Sequence, residues 1–429
     1  MIGVQMVTED PLNAVHEAQK PTMGSVYSPR PFSNRNFVFQ NKTLGTMADA
    51  EIKYARIDER SVRYPYNHAL RVLLAHLEAM ATICVDGTAP DIETMLLIEA
   101  EALRHAKRYG YDSALSCGKI AGDNTQRASQ AAVRYCAAIQ DIACGTANFT
   151  FDRNTLLRLH SQIMYEDGEQ ADEEMHFREQ PYRMRMAFSG VVKNIYIAPE
   201  PDRIPMLIDD LMSFCNGNNL SPTTQAAVAH FHLEAIRPFK TGMDRTGRAF
   251  AHMIMKRRLF YNHIIPPIAV VPAMNVRDHA QLLFPYRANK PFSEREAAMA
   301  LDRWTFHCAE CMAFSVSLVR SLMDQITDME EKWLRRLPGM RKGSVIDLVL
   351  QELPGKPIIT VATVMDATGK GFSAANDAIH QLVEAEILRP MNKNTRNRCF
   401  ESPDALNMVK SLSGKIIPTE LISRESAFH

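Results

Sequence analysis

Ala229-His230-Phe231-His232-Leu233-Glu234-Ala235-Ile236-Arg237-Pro238-Phe239-Lys240-Thr241-Gly242-Met243-Asp244-Arg245-Thr246-Gly247-Arg248 reads as a helix that meets a proline, breaks, and starts again. Ser221 and Pro222 open its first half, a hydroxyl at the N-cap and a proline in the first turn. Val228, Phe231 and Ala235 fall at i, i+3 and i+7, on one apolar face. A residue before a proline is pushed out of the α region, so this helix is predicted to end near Ile236 or Arg237. Phe250, Ala251, Ile254, Met255 and Leu259 restore the helical period, with a restart near Arg245. Between the halves lies a short loop holding Gly242. A loop feeding a helix N-terminus favours an anion, because unpaired N–H groups and the helix dipole both face it.

Working outward, helical pattern begins near Asp58 and strengthens from His68, with Leu70, Leu73, Leu74, Leu77, Met80 and Ala81 on one stripe. It stops at Thr82-Ile83-Cys84-Val85-Asp86-Gly87, where glycine suits a helix end. Residues 1–55 carry scattered prolines and little period, and read as an irregular arm. Further helices are predicted over 91–108, 128–142, 151–167 and 202–215. Val191-Val192 and Ile195-Tyr196-Ile197 read as a β-hairpin turning at Lys193-Asn194.

Beyond the opening stretch, 293–337 is one helical tract of about 65 Å, long enough that a break or kink is predicted. Residues 329–336 look like a solvated linker. The pattern then changes: helix over 344–351, extended chain over 358–361, helix over 362–368, a Gly369-Lys370-Gly371 turn, and helix over 373–385. Two short strands, 387–390 and 398–401, pair across 392–397. The expected fold is mainly α, divided as arm 1–55, helical region 56–150, core 151–290, long helix or linker 291–339, a small C-terminal module 340–405, and tail 406–429.

The opening stretch resembles the signature of the Fic (Fic/Doc) family, H-P-F-x-[D/E]-G-N-G-R-x-x-R. The resemblance implies a Fic-type helical bundle with a hairpin flap, and a family that transfers AMP from ATP to a protein hydroxyl. In that pattern the histidine is the general base, the acidic residue holds magnesium, and the loop and arginines hold phosphates. Pro238, Phe239, Gly242, Arg245 and Arg248 agree with the signature. Arg237 stands at the histidine, Thr241 at the acidic metal position, Met243 at the loop asparagine and Asp244 at a loop glycine. The implied phosphate site is Gly242, Met243, Asp244, Arg245 and Arg248.

Other stretches resemble the family in its own order. Thr82, Asp86 and Gly87 resemble its inhibitory motif [S/T]-x-x-x-E-[G/N], whose glutamate pairs with the last signature arginine. Asp86 is one methylene shorter, which cuts its reach by roughly 1.5 Å. Leu156, His160 and Ile163 resemble a family helix, with His160 read as a packed residue. His176-Phe177-Arg178 resembles the Gly-x-[FY]-Arg element. The hairpin, with Ile195, Tyr196 and Ile197, resembles the flap that docks a target segment as an added strand. The C-terminal module resembles a winged helix-turn-helix, which implies duplex DNA as a partner. Its implied contacts are Ser373 and Asn376 at base edges, and Lys370, Arg389, Lys393, Arg396 and Arg398 at phosphates, with a protein-binding role as the alternative.

Lysine plus arginine and aspartate plus glutamate each number 49, so no global charge argues for nucleic acid. The eight cysteines show one close pair, Cys308 and Cys311, within a helical tract, and read as buried thiols. Free thiols without a secretory h-region predict a cytoplasmic protein, and no apolar run reaches the ~18 residues a membrane helix needs.

The substitutions oppose the family chemistry. Arginine stays protonated and cannot replace a base worth about 10²–10⁴-fold. Thr241 offers magnesium only a neutral oxygen. Asp244 at ~4 Å from a phosphate costs ~4 kcal/mol at an effective dielectric of ~20. The expectation is a degenerate Fic protein with lost or reduced AMP transfer, acting as a regulatory, nucleotide- or anion-binding protein toward a protein partner. ATP is the implied cofactor, and magnesium loses its usual ligand. The alternative is an active adenylyltransferase, or related phosphoryl or nucleotidyl transferase, using non-standard residues.

Overall fold

The structure, a computed structural model, describes residues 31–32, 37–109, 124–164, 176–188, 191–283, 294–391 and 398–417, with the side chains of 103–109, 184–188 and 191–195 excluded. It is mainly helical. Among the described residues five helices come first: α1 Asn41–Ser61, α2 Asn67–Val85, α3 Ile92–Tyr109, α4 Asn124–Cys144 and α5 Arg153–Met164. A hairpin follows, β1 Arg183–Phe188 and β2 Val191–Ile197, then α6 Ile204–Asn216, α7 Pro222–Ile236, α8 Met243–Arg257, α9 Val270–Met274 and α10 Val276–Leu282. α11 Glu294–Arg336 leads to the C-terminal elements: α12 Val345–Glu352, β3 Ile358–Thr360, α13 Val361–Thr368, α14 Phe372–Glu384, β4 Arg389–Pro390, β5 Cys399–Glu401 and α15 Pro403–Ile416.

α2 is the central rod. Fifteen of its 19 residues are buried, because leucine and alanine cover nearly every face and α4, α9 and the C-terminal elements surround it. It is also long and apolar enough to cross a membrane by length and composition, but its apolar faces are spent inside the fold. The buried Glu78 carboxylate pins it in place, lying 3.0 Å from His252 Nε2 on α8 and accepting from the Ala269 N–H at 2.8 Å.

Five sequence expectations need correction. The arm is not irregular throughout, since α1 starts at Asn41. Met47, Ala50, Tyr54 and Ile57 recur at helical spacing and are buried along α11. Asp58, also buried, accepts from the N–H groups of Asn262, His263 and Ile264 at 2.7–2.9 Å. The tract after residue 293 is one unbroken helix of 43 residues. It holds neither proline nor glycine to break it.

Nor is α11 a linker. Trp304 Nε1 donates to Ala227 O at 2.9 Å on α7, and Trp333, fully buried, donates to Asp404 Oδ2 at 3.0 Å on α15. One helix thus packs on α1, α7 and α15. Part of the expected tail is helix α15, with Leu406, Val409, Leu412 and Ile416 buried. Finally, β2 runs continuously from Val191 to Ile197, so Lys193-Asn194 is not the turn. Met186 pairs with Asn194 and Ala187 with Val192, which leaves Lys193 as the extra residue of a bulge.

The C-terminal elements form a compact unit: helix, strand, two helices, two strands. The strands make one antiparallel sheet in the order β3-β5-β4. The unit rests on the start of α2. A Cβ added to Gly355 would lie 2.5 Å from the Ala69 carbonyl oxygen, so glycine permits the approach. His68 Nδ1 and the Glu352 carboxylate meet at 2.9 Å beside it.

Candidate functional site

α7 ends at Ile236, and Arg237 closes it in the left-handed region with φ 46°. That conformation costs a non-glycine residue roughly 1–2 kcal/mol, so something must hold it. Arg178 does: its Nε donates to Arg237 O at 2.7 Å, and its backbone N–H donates to Pro238 O at 2.8 Å. Arg178 Nη1 and Nη2 also donate to the carbonyls of Gln180 and Pro199. The His176-Phe177-Arg178 element therefore clamps the signature loop through carbonyl oxygens.

The Arg237 side chain turns inward and is 3% exposed. Nη1 lies 3.4 Å from Glu234 Oε2 and Nη2 lies 3.3 Å from Asp244 Oδ2. Its guanidinium carbon sits 5.2 Å from the Tyr182 ring centre. Burial opposes its charge, but Asp244 and Glu234 outweigh burial and raise its pKa above the ordinary arginine value. It is a fixed cation. Glu234 and Tyr182 were not foreseen as site residues; the i, i+3 spacing of Glu234 and Arg237 was the available signal for the first.

Gly242 follows with φ 63° and caps α8. A Cβ there would lie 2.2 Å from Met164 Sδ, so both backbone and space require glycine. Met243 is buried and Thr241 exposed. On the first turns of α8, Arg245 and Arg248 both face Asp86. Arg245 Nε lies 2.5 Å from Asp86 Oδ2, and Arg248 Nη2 lies 2.7 Å from Asp86 Oδ1. Arg248 Nη2 also donates to Thr82 O at 3.1 Å. Burial would lower the Arg248 pKa, but Asp86 and then Asp244 hold it above the ordinary value. Gly87, at φ 95°, ends the turn that carries Asp86. Thr82, Asp86, Arg245 and Arg248 thus meet at one point.

Packing beneath the loop depends on His160. Its ring stacks on Phe239 with centres 3.6 Å apart, and its Nδ1 lies 2.8 Å from Thr246 Oγ1. Burial pushes its pKa down from the ordinary 6.5 to about 4. Above pH 6.5 the ring is neutral folded or unfolded. Between 6.5 and 4 only the unfolded chain takes up the proton, so stability falls with pH across that window. We expect this group to remove about 3 kcal/mol of stability on going from pH 7 to pH 4. Urea unfolding of the chain and of His160→Gln at several pH values checks this; parallel curves would reject it.

Two further histidines near the site serve the core. His232 packs against Phe32 with centres 4.3 Å apart, and His252 meets Glu78. In the flap, Tyr196 is buried and its hydroxyl donates to Ala235 O, tying β2 to the end of α7. Ile197 is half-buried, and the Ile195 side chain lies outside the described residues.

On the C-terminal unit, Lys370 and Ser373 are exposed and Asn376 half-buried. Arg398 lies over the Phe400 ring at 4.9 Å. Arg389 pairs with Glu401 instead of standing free for a phosphate. Lys393 and Arg396 lie outside the described residues.

The residues present do not fit magnesium in the family manner. Thr241 supplies no charge, and the nearby carboxylates of Glu234, Asp244 and Asp86 each face an arginine.

A comparison with curated proteins finds no match. Among solved structures the chain is similar to a Fic family protein from Desulfovibrio desulfuricans G20, with 16% identity and TM-score 0.48 over 85% of this chain and 97% of that one. It is similar to a Fic domain containing signaling protein from Bacteroides thetaiotaomicron, with 12% identity and TM-score 0.41 over 65% and 94%. A Fic protein from C. elegans gives 15% identity and TM-score 0.37 over 64% and 72%. The stretch from α5 through most of α8, flap and signature loop included, matches the family model described as Fic/DOC family. The chain thus carries a Fic/DOC-family domain, and that domain spans residues 150–255.

Proposed function

We propose that this chain is a Fic-domain regulator that has given up AMP transfer and keeps an anion or nucleotide site controlled by Asp86. The carrying observation is Arg237: the position the family gives its base holds a buried guanidinium fixed between Glu234 and Asp244. A group so placed accepts no proton, and losing a general base alone costs about 10²–10⁴-fold. The two arginines that hold phosphate in the family are meanwhile bound to Asp86.

Labelled ATP with magnesium tests the reading, on the full chain and on Asp86→Gly. We expect no label on the chain or on added proteins above the background of heat-denatured chain. Robust transfer that survives Arg237→Ala would establish the alternative, an active transferase with non-standard residues.

A second reading concerns the C-terminal unit, which we read as a winged helix that contacts duplex DNA. Its supports are the β3-β5-β4 order and the exposed start of α14 beside Lys370. With Arg389 spent on Glu401, about three phosphates are within its means. Log affinity for DNA should then fall with log salt at a slope of about −2.7. Removing Lys393, Arg396 and Arg398 together should flatten that slope; no DNA shift at low salt would assign the unit to protein contact instead.

A further inference from the structure

The signature chemistry makes no use of one buried cluster in the N-terminal helices. His76 on α2, Glu99 on α3 and Cys136 on α4 bring a nitrogen, a carboxylate oxygen and a sulfur within 4.8 Å of one another. His76 Nε2 lies 2.7 Å from Glu99 Oε2, with side-chain exposures of 1% and 12%. Cys136 is fully buried, and Gln140 Nε2 donates to its Sγ at 3.2 Å. The other His76 nitrogen, Nδ1, is buried with no hydrogen-bond partner among the described residues. Three polar groups from three helices, set in a core otherwise rich in alanine and leucine, are costly to bury unless every polar atom is satisfied, and His76 Nδ1 is not.

We infer that His76, Glu99 and Cys136 are a binding site for one divalent cation of zinc type. The donor set decides the class. Thiolate and imidazole suit zinc and its borderline-soft neighbours, whereas magnesium and calcium demand oxygen. Donors on a tetrahedral zinc at about 2.0–2.3 Å stand roughly 3.3–3.8 Å apart, which the observed span accommodates. The His76–Glu99 contact, at 2.7 Å, is too short and must open by roughly 0.6 Å to admit such an ion. Glu99 is the member reached by solvent, so the ion enters there and a water completes the fourth position.

The protons balance simply. Burial opposes charge on both partners, yet each offsets it: Glu99 raises the His76 pKa, and His76, then Lys356, lowers that of Glu99. The metal-free site therefore holds an imidazolium, a carboxylate and a thiol. Binding one cation releases two protons to solvent, one from His76 and one from Cys136. The ion forms bonds to nitrogen, oxygen and sulfur, and nothing is oxidised or reduced.

Cobalt(II), which reports thiolate ligation by its spectrum, is the probe. The metal-free full chain should bind one equivalent with a sulfur-to-cobalt charge-transfer band and intense tetrahedral bands, both lost when zinc is added. Cys136→Ala should abolish the charge-transfer band. Glu99→Gln should keep the band and weaken binding at least tenfold. Cys311→Ala is the control, because Cys311 Sγ and His307 Nε2 form another sulfur–nitrogen contact, at 3.6 Å; its band should persist. Absence of the band at one equivalent overturns the proposal, as does a band that follows Cys311. If Cys136→Ala fails to fold, unchanged affinity in Glu99→Gln overturns it equally.

Discussion

Arg237→Met is expected to cost about 3–5 kcal/mol of folding stability at pH 7, measured by urea unfolding. The side chain it replaces is 3% exposed, and the Glu234 side chain facing it is 2% exposed. Removing the guanidinium leaves that carboxylate buried without its cation. His230 Nε2, at 3.8 Å from Glu234 Oε1, is beyond hydrogen-bond distance. The cost comes mostly from removing the cation that faces this buried carboxylate, and adding Glu234→Gln should recover part of it. Arg237→His, which restores the family residue, should also lose stability and should gain no AMP transfer, because Asp244 and Thr241 are unchanged. A loss below about 1 kcal/mol in Arg237→Met would mean that the ion triad holds nothing together.

The frame of this site was legible in the sequence because it is made by residues with narrow backbone meaning. Pro238 dictates the helix stop, Gly242 the left-handed cap, and the α8 arginines the helix start. What was not legible was where long side chains go. Arg237 could have faced solvent or a phosphate, and only the packing of α7 against the loop turns it toward Glu234. Asp86 was expected to reach Arg248; its second contact, with Arg245, depends on the rotation of α2 about its axis, which an all-round apolar helix does not reveal. The same limit hid the burial of the last turns of α11. Residues 329–336 look solvated because six of the eight are charged or exposed, yet Met329 and Trp333 are buried. α1 was missed because polar residues surround its four buried apolar positions, and its partner helix is reached, at Gln40 and Asp302, across 262 residues of sequence.

Asp86→Ala should raise affinity for ATP, measured without magnesium, by about 100-fold. The carboxylate holds both arginines at hydrogen-bond distance, with side-chain exposures of 16% for Asp86, 19% for Arg245 and 4% for Arg248. A phosphate arriving at the start of α8 must displace it, and such partly buried charge pairs resist truncation by about 2–5 kcal/mol. Taking about 2.7 kcal/mol from the low end of that range gives the hundredfold figure. Asp244 also repels the ligand, but it is present in both proteins and cancels in the ratio. Inorganic phosphate should follow the same order with weaker binding, since it has no base or ribose to contact the protein. Without ligand, Asp86→Ala should unfold more easily than the parent chain, because the buried Arg248 loses its carboxylate. Saturating ATP should return much of that stability, and the midpoint of thermal unfolding should rise with ATP concentration. Asp86→Ala combined with Arg248→Ala should lose the gain in affinity. Equal dissociation constants for the parent and Asp86→Ala would show that Asp86 closes no site, and absence of binding by both would show that the arginines have ceased to be an anion site.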